Sequence, residues 1–357
     1  MEHQLIDILK GELYKLKKQR VYMEVCGTHT MEIGKMGLRQ FLGDKVKLIS
    51  GPGCPVCVTP NMYIDYLYSL AINKNVSIIS YGDMLRVPGS NPSISLEKAR
   101  ALGADVRVVY SSIDSIKLAK DEPYKKFVFA GIGFETTMPS TAILIEQIML
   151  EKLNNLFILS LHKKVEPVIN KLLEDKNLNL DGFLVPGNVA VILGEEGFSF
   201  LKNRKLGVIS GFSEEEIITS LIILLKGSEV NSKKLINNYT QMVSKEGNSI
   251  AKKYINKYFV ESDSVWRGLG EIKGSGYSIR EEYSNLDIEK TYPKEEILSL
   301  LKGSKEKYIC MCGEILKGYI TPKQCPSFGK KCTPSFPIGP CMVSSEGTCA
   351  AYYKYNN

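Results

Sequence analysis

Residues 46–73 read VKLISGPGCPVCVTPNMYIDYLYSLAIN. The apolar run Val46–Ser50 is stopped by Gly51-Pro52-Gly53, and Asn61–Asn73 then carries apolar residues at helical spacing. A short apolar run closed by Gly and Pro reads as a strand ending in a tight turn, with a helix after it. The same alternation recurs along the chain. Strands are expected at Tyr22–Val25, Val46–Ser50, Val76–Ser80 and Val106–Tyr110, then at Phe127–Ala130, Leu156–Leu161, Phe183–Val185 and Leu206–Ser210. Helices are expected at Asn61–Asn73, Thr141–Leu153 and Glu214–Lys226. Strands alternating with helices form βαβ units, and these build parallel sheets. The expected fold class is therefore α/β. Four strands followed by four more suggest two parallel-sheet α/β domains, residues 1–120 and 121–230, with a boundary near Lys120–Lys125.

After Gly227 the pattern changes, and residues 231–357 form a third region. Ser232–Tyr258 reads as helical. Glu261–Tyr283 is rich in Gly and Ser and holds the only tryptophan, Trp266. Tyr308–Gly347 is dense in Cys, Pro and Gly and has no helical period. A segment of that kind buries little apolar surface, and a metal cluster is the obvious staple.

The chain has 357 residues, of which 44% are apolar, enough for two or three domains with a sizeable core. It contains no run of about 18 apolar residues, so no membrane span is expected. The first twenty residues resemble an amphipathic helix and lack a signal-peptide pattern, which points to the cytoplasm. Net charge is +7, but Lys and Glu are interleaved. No basic stripe with aromatics stands out, so a nucleic-acid partner is not expected.

Nine cysteines, an odd number in a large chain expected in the cytoplasm, argue against a secreted disulfide framework. They fall in two groups. Cys26 lies in Val25-Cys26-Gly27-Thr28-His29-Thr30, and Cys54 and Cys57 lie in Gly51-Pro52-Gly53-Cys54-Pro55-Val56-Cys57. Both motifs follow strands, at the carboxyl edge where open parallel sheets gather ligands. If the two strands are neighbours, three thiols and the His29 imidazole converge. A thiolate is both a nucleophile and a soft metal ligand, and a helix N-terminus stabilises it at Cys54 or Cys57. Gly51 and Gly53 let the backbone approach a ligand. His29 can donate a proton or bind metal. On residues alone, a closed zinc site of Cys26, His29, Cys54 and Cys57 and a redox or open metal site both stay open.

Gly131-Ile132-Gly133-Phe134-Glu135-Thr136-Thr137 also follows a strand and opens a helix, but it lacks the third glycine of a dinucleotide fingerprint. With Pro186-Gly187-Asn188 it places Glu135, Thr136 and Asn188 towards an interdomain cleft. His162 follows another strand and is a weaker candidate. The second cysteine group is Cys310, Cys312, Cys325, Cys332, Cys341 and Cys349. Six exceed the four that one cubane cluster takes, so a cluster beside a redox pair accounts for all of them. Paired C-x-x-C zinc knuckles are absent, which favours a [4Fe-4S] cluster.

Taken in order, Cys-Gly-Thr-His-Thr, Gly-Pro-Gly-Cys-Pro-Val-Cys, Gly-Phe-Glu-Thr-Thr and Gly-Pro-Cys-Met-Val-Ser-Ser-Glu-Gly closely resemble the HypD family of [NiFe] hydrogenase maturation proteins. The resemblance runs from about Glu24 to Tyr355. It implies two α/β domains and a Cys-rich C-terminal iron–sulfur domain similar in surroundings to ferredoxin–thioredoxin reductases. It implies work with a HypC-type chaperone and a HypE-type cyanide donor, and indirectly with the hydrogenase large subunit. Their product is an iron carrying two cyanides and one carbon monoxide, Fe(CN)2CO. On that resemblance Cys26 ligates the assembling iron, His29 assists it, and Cys54 and Cys57 form a dithiol–disulfide pair. Cys310, Cys325, Cys332 and Cys349 are then the cluster ligands, with Cys341 in place of Cys310 as the rival. Cys312 and Cys341 form the second redox pair, and Glu346 relays protons. Two other classes remain: a cluster-dependent protein disulfide reductase and a zinc-stabilised interaction protein.

Overall fold

The computed structural model describes residues 2–91, 93–301 and 310–355. The start of the Tyr308–Gly347 segment therefore lies outside the described residues. In chain order the strands are β1 (Arg20–Glu24), β2 (Val46–Ser50), β3 (Ser77–Ser80), β4 (Val106–Val108), β5 (Phe127–Gly131) and β6 (Leu156–Ser160). They continue with β7 (Gly182–Pro186), β8 (Leu206–Ser210), β9 (Leu235–Asn237), β10 (Phe259–Trp266) and β11 (Gly270–Ile279). One parallel sheet has the order β2-β1-β7-β8-β9, a second has β4-β3-β5-β6, and β10 and β11 form an antiparallel hairpin. The α/β class with two parallel sheets stands.

The partition of strands differs from the four-plus-four reading. The second sheet runs across Lys120–Lys125 without a break, because β3 pairs with β5. The first sheet closes only when the chain returns at β7, which pairs with β1. The inner parallel strands are buried on both faces, so they read as similar apolar runs and carry no local mark of their partner. Here the pairing is set by long-range contacts. Val21 N–H and the Arg20 guanidinium both bond Asp181, and Arg20 also bonds Glu229.

Two other expectations change. Ser232–Tyr258 is not one helix: Leu235–Asn237 adds β9 to the first sheet, and the helix starts at Ser249, capped by the Asn248 side chain. The run Asn237-Asn238 favours side-chain bonding to nearby backbone over helix, and the Asn237 side chain accepts from Tyr239 N–H. Most of Glu261–Tyr283 lies in the β10–β11 hairpin, whose tip is at Arg267–Leu269. The Cys-rich segment also buries more apolar surface than its composition suggests. Ile315, Leu316 and Met342 join the main core, each contributing about 1.5–3 kcal/mol by leaving water.

The topology places the site. From β1 the chain moves to one side, to β2, and from β7 to the other, to β8. Likewise β3 leads to β4 and β5 to β6 in opposite directions. Each reversal opens a crevice at the carboxyl ends of the strands. The loops at these two switch points carry Cys26 and Asn188 in one sheet and Asp83 and Phe134–Thr137 in the other. The C-terminal segment lies across both. The helix Thr348–Tyr355 packs on the helix Gly27–Lys35, and Asp83 accepts bonds from Ser344 Oγ, Ser345 N–H and Ser345 Oγ.

Candidate functional site: a thiol cleft and a thiol chamber

Cys26 caps the helix Gly27–Lys35 directly after β1. It is held there by the neighbouring strand's turn. A Cβ on Gly53 would lie 1.3 Å from the Val25 carbonyl oxygen, so only glycine lets the two motifs touch. Beneath them, Glu24 is fully buried and accepts from Ser50 Oγ at 2.8 Å and from the Arg39 guanidinium. Loss of Arg39 would strand a buried carboxylate, a penalty of about 3–5 kcal/mol.

Cys26 lines a cleft of about 120 Å³ with Gly53, Pro55, Phe134, Thr136, Asn188 and Glu346 among its walls. Burial, then the nearby Glu346 carboxylate, pushes the Cys26 thiol up to about 11. Burial also raises the Glu346 carboxyl above its ordinary value, and Thr28 Oγ1 donates to it at 2.9 Å. Thr136 and Asn188 face this cleft. Glu135 does not line it: its Oε1 accepts from Val165 N–H at 3.0 Å, at the start of the helix after β6, and burial lifts its carboxyl to about 7.

Cys54 and Cys57 are joined as a disulfide with Cα atoms 5.2 Å apart. Cys57 N–H donates to Cys54 Sγ at 3.1 Å, the helix-start contact that steadies a thiolate there once the bond opens.

His29 is a correction to the expected convergence. Its ring is fully buried and does not line the cleft; it is stacked 4.6 Å from Phe212, and Nε2–H donates to the Gly211 carbonyl at 2.9 Å. The side chain sits one helical turn from Cys26 but is turned into the core. Its other ring nitrogen is buried without a partner. With Cys54 and Cys57 bonded to each other and His29 turned away, the four-ligand zinc set is not assembled. His162 is likewise buried, between Ser160 Oγ and Thr141 Oγ1.

Burial lowers the His29 pKa from 6.5 to about 4, and that of His162 to about 3. The unfolded chain therefore takes up protons that the folded one excludes as pH falls below 6.5, and stability drops between pH 6.5 and 4. For His29 the loss amounts to about 3 kcal/mol by pH 4. Denaturant titrations across this window should show a slope smaller by up to one proton in His29→Gln. An unchanged slope would refute the assignment.

The six C-terminal cysteines meet although they span residues 310 to 349: all line one chamber, closed by Ile315, Phe328, Ile338 and Met342. Cys310 is at its exposed rim, and Cys312, Cys332, Cys341 and Cys349 are buried. Burial first, then the charges of Cys310, Cys332, Cys312 and Cys325, push the Cys349 thiol well above its ordinary value. Thiols this crowded cannot ionise together unless a metal takes their protons. They ring a space and are not drawn to a point. Among the described residues no three Cys, His, Asp or Glu side chains gather as a single-ion site. A ring of thiols in an apolar chamber suits a multi-atom iron–sulfur cluster. The free Cys312 thiol lies within hydrogen-bonding reach of both Cys310 and Cys341. The helical turn Pro55–Val58 packs on Pro340–Met342, so the Cys54–Cys57 element touches the element that carries Cys341.

Sequence reasoning missed Asp83, Glu24 and Arg267. A charged residue closing an apolar strand was the available signal for Glu24. For Arg267 it was the Gly-flanked turn Trp266-Arg267-Gly268-Leu269-Gly270. Among the described residues no helix is long and apolar enough to cross a membrane.

A family model described as HypD: Hydrogenase formation hypA family matches residues 2–356. A hydrogenase expression/formation protein of Methanocaldococcus jannaschii is 41% identical over 354 residues, 98% of this chain and 96% of its own. Hydrogenase maturation factor HypD of Escherichia coli is 39% identical over 351 residues, 96% of this chain and 91% of its own. HypD of Azotobacter vinelandii is 39% identical over 348 residues, 95% and 90% of the two chains.

Proposed function

The chain belongs to the HypD family of hydrogenase maturation factors, and from that premise we propose that it is the scaffold and redox component on which the Fe(CN)2CO group of [NiFe] hydrogenases is built. A HypC-type chaperone and a HypE-type cyanide donor are its partners. The observation that carries the reading is the cleft at the two switch points, where the buried free thiol of Cys26 shares its walls with Glu346. Iron is the cargo. On binding, it displaces the Cys26 proton, and Glu346 is the base beside it. A carboxylate that accepts this proton also loses the like charge that opposed the thiolate.

Cyanide delivered as a thiocyanate requires two electrons. R–S–CN and two thiols give R–SH, cyanide, one disulfide and one proton. The Cys54–Cys57 pair in its dithiol form supplies those electrons and ends as the disulfide. Exchange with a Cys312–Cys341 dithiol then restores it, through thiolate attack and a mixed disulfide. The packing of Pro55–Val58 on Pro340–Met342 supports that exchange. Cys310, Cys325, Cys332 and Cys349 would hold a [4Fe-4S] cluster, which would supply electrons to the second pair. The convergence of all four on one chamber, with Cys312 and Cys341 in contact beside them, supports this division.

The test is an infrared spectrum of the protein purified without oxygen from a host that also makes its HypC, HypE and cyanide-supply partners. Bands of iron-bound cyanide and carbon monoxide are expected on this chain. A blank spectrum on a cluster-bearing sample would overturn the scaffold role in favour of a protein disulfide reductase.

A further inference from the structure

The tip of the β10–β11 hairpin is wedged between the two thiol groups. Gly268 adopts φ +77°, and a Cβ there would lie 2.2 Å from the Cα of Gly313, the residue after Cys312. One residue earlier, Arg267 is pinned to the other motif. Its backbone N–H donates to the Val58 carbonyl at 2.7 Å and its Nε to the Thr59 carbonyl at 2.9 Å. These carbonyls follow Cys57. Arg267 Nη2 is buried and has no hydrogen-bond partner. The groups whose charge acts on the guanidinium are the thiols of Cys312, Cys341 and Cys310 and the Asp65 carboxylate. Asp65 is already engaged by Ser90 N–H at 2.9 Å.

An arginine stays protonated in a protein. A fixed positive charge with an unused buried donor therefore stands one residue from the contact with the Cys312 helix, without an ion-pair partner among the hydrogen bonds of the described residues. Such a charge is costly to bury, and it is compensated when negative charge arrives beside it. One-electron reduction of a buried cluster adds one such charge, and an adjacent cation in a low dielectric raises the reduction potential.

We propose that Arg267 is a positioning residue for electron transfer, its guanidinium stabilising the charge that enters the thiol chamber and tying the chamber to the Cys54–Cys57 turn. This rests on reading the chamber as a cluster site. The experiment uses the full chain, purified without oxygen and reconstituted with iron and sulfide. Iron and sulfide are counted first, and the reduction potential is then measured by spectroscopic titration with dithionite. Arg267→Gln keeps a donor for the Thr59 carbonyl but removes the charge, whereas Arg267→Lys keeps the charge and removes the fork. The Gln variant should load fully and show an equilibrium constant for one-electron reduction at least tenfold lower, about 59 mV more negative for a one-electron couple. The Lys variant should stay near the wild-type potential. A fully loaded Gln variant at the wild-type potential overturns the proposal. An equal fall, or an equal loss of loading, in both variants also overturns it and makes Arg267 a packing residue. A wild-type chain that takes up no sulfide fails at the first count and overturns the cluster reading itself.

Discussion

Cys26→Ala is expected to abolish hydrogenase maturation, by more than about a hundredfold, while leaving the C-terminal chamber able to hold its cluster. Loss of an outer-sphere partner alone lowers metal-site function by about 10–100-fold, and Cys26 is the proposed ligand itself. Without it the cleft keeps Glu346, Thr136, Thr137 and Asn188. These offer oxygen and nitrogen donors, poor substitutes for a soft thiolate. Cys54 and Cys57 cannot take over while bonded to each other. Folding should be little affected, because only one sulfur atom leaves a site that already opens on a cleft. The measurements are hydrogenase activity in a strain that relies on this chain, and the cyanide and carbon monoxide bands of the purified variant. Normal maturation in Cys26→Ala would sink the proposed iron site.

Cys332→Ala should lose the cluster itself, with iron and acid-labile sulfide falling to near background. The Cys332 thiol is buried, its sulfur accepts from Ile338 N–H at 3.4 Å, and the charges of Cys310 and Cys325 act on it. It is thus fixed in the ring of thiols, and in the proposed division Cys312 and Cys341 serve as the redox pair and do not replace it. Cys312→Ala should keep the cluster and lose only the exchange that restores the Cys54–Cys57 dithiol. The same assay decides between Cys310 and Cys341 as the fourth ligand: Cys310→Ala should empty the chamber and Cys341→Ala should not. Full iron and sulfide in Cys332→Ala would refute the ligand set.

Much of the site was legible in order along the chain. Val46–Ser50 followed by Gly51-Pro52-Gly53 announced a strand edge, and both cysteine motifs lie at such edges. Thr136 and Asn188 face the cleft because they follow β5 and β7 at the same edge of their sheets. His29 could not be placed this way. A residue three positions after Cys26 in a helix is turned nearly a full circle from the N-cap, and whether that direction meets cleft or core depends on Phe212, which is far away in sequence. Glu135 fails for a similar reason: beside Thr136 in sequence, it turns to Val165 instead.

The sequence by itself determined the alternation of strands and helices up to Gly227, the strand edges and the two cysteine groups. Hydrophobic period, Gly-Pro turns and ligand chemistry are local properties that a few neighbouring residues carry. Only the tertiary structure decided which strands share a sheet, since buried parallel strands all read alike and β1 finds β7 through Arg20 and Asp181. It also decided that Glu346 meets Thr28 across a separation of 318 residues, and that Arg267 stands between the thiol groups. Such contacts follow from the packing of whole layers, and no local pattern encodes them.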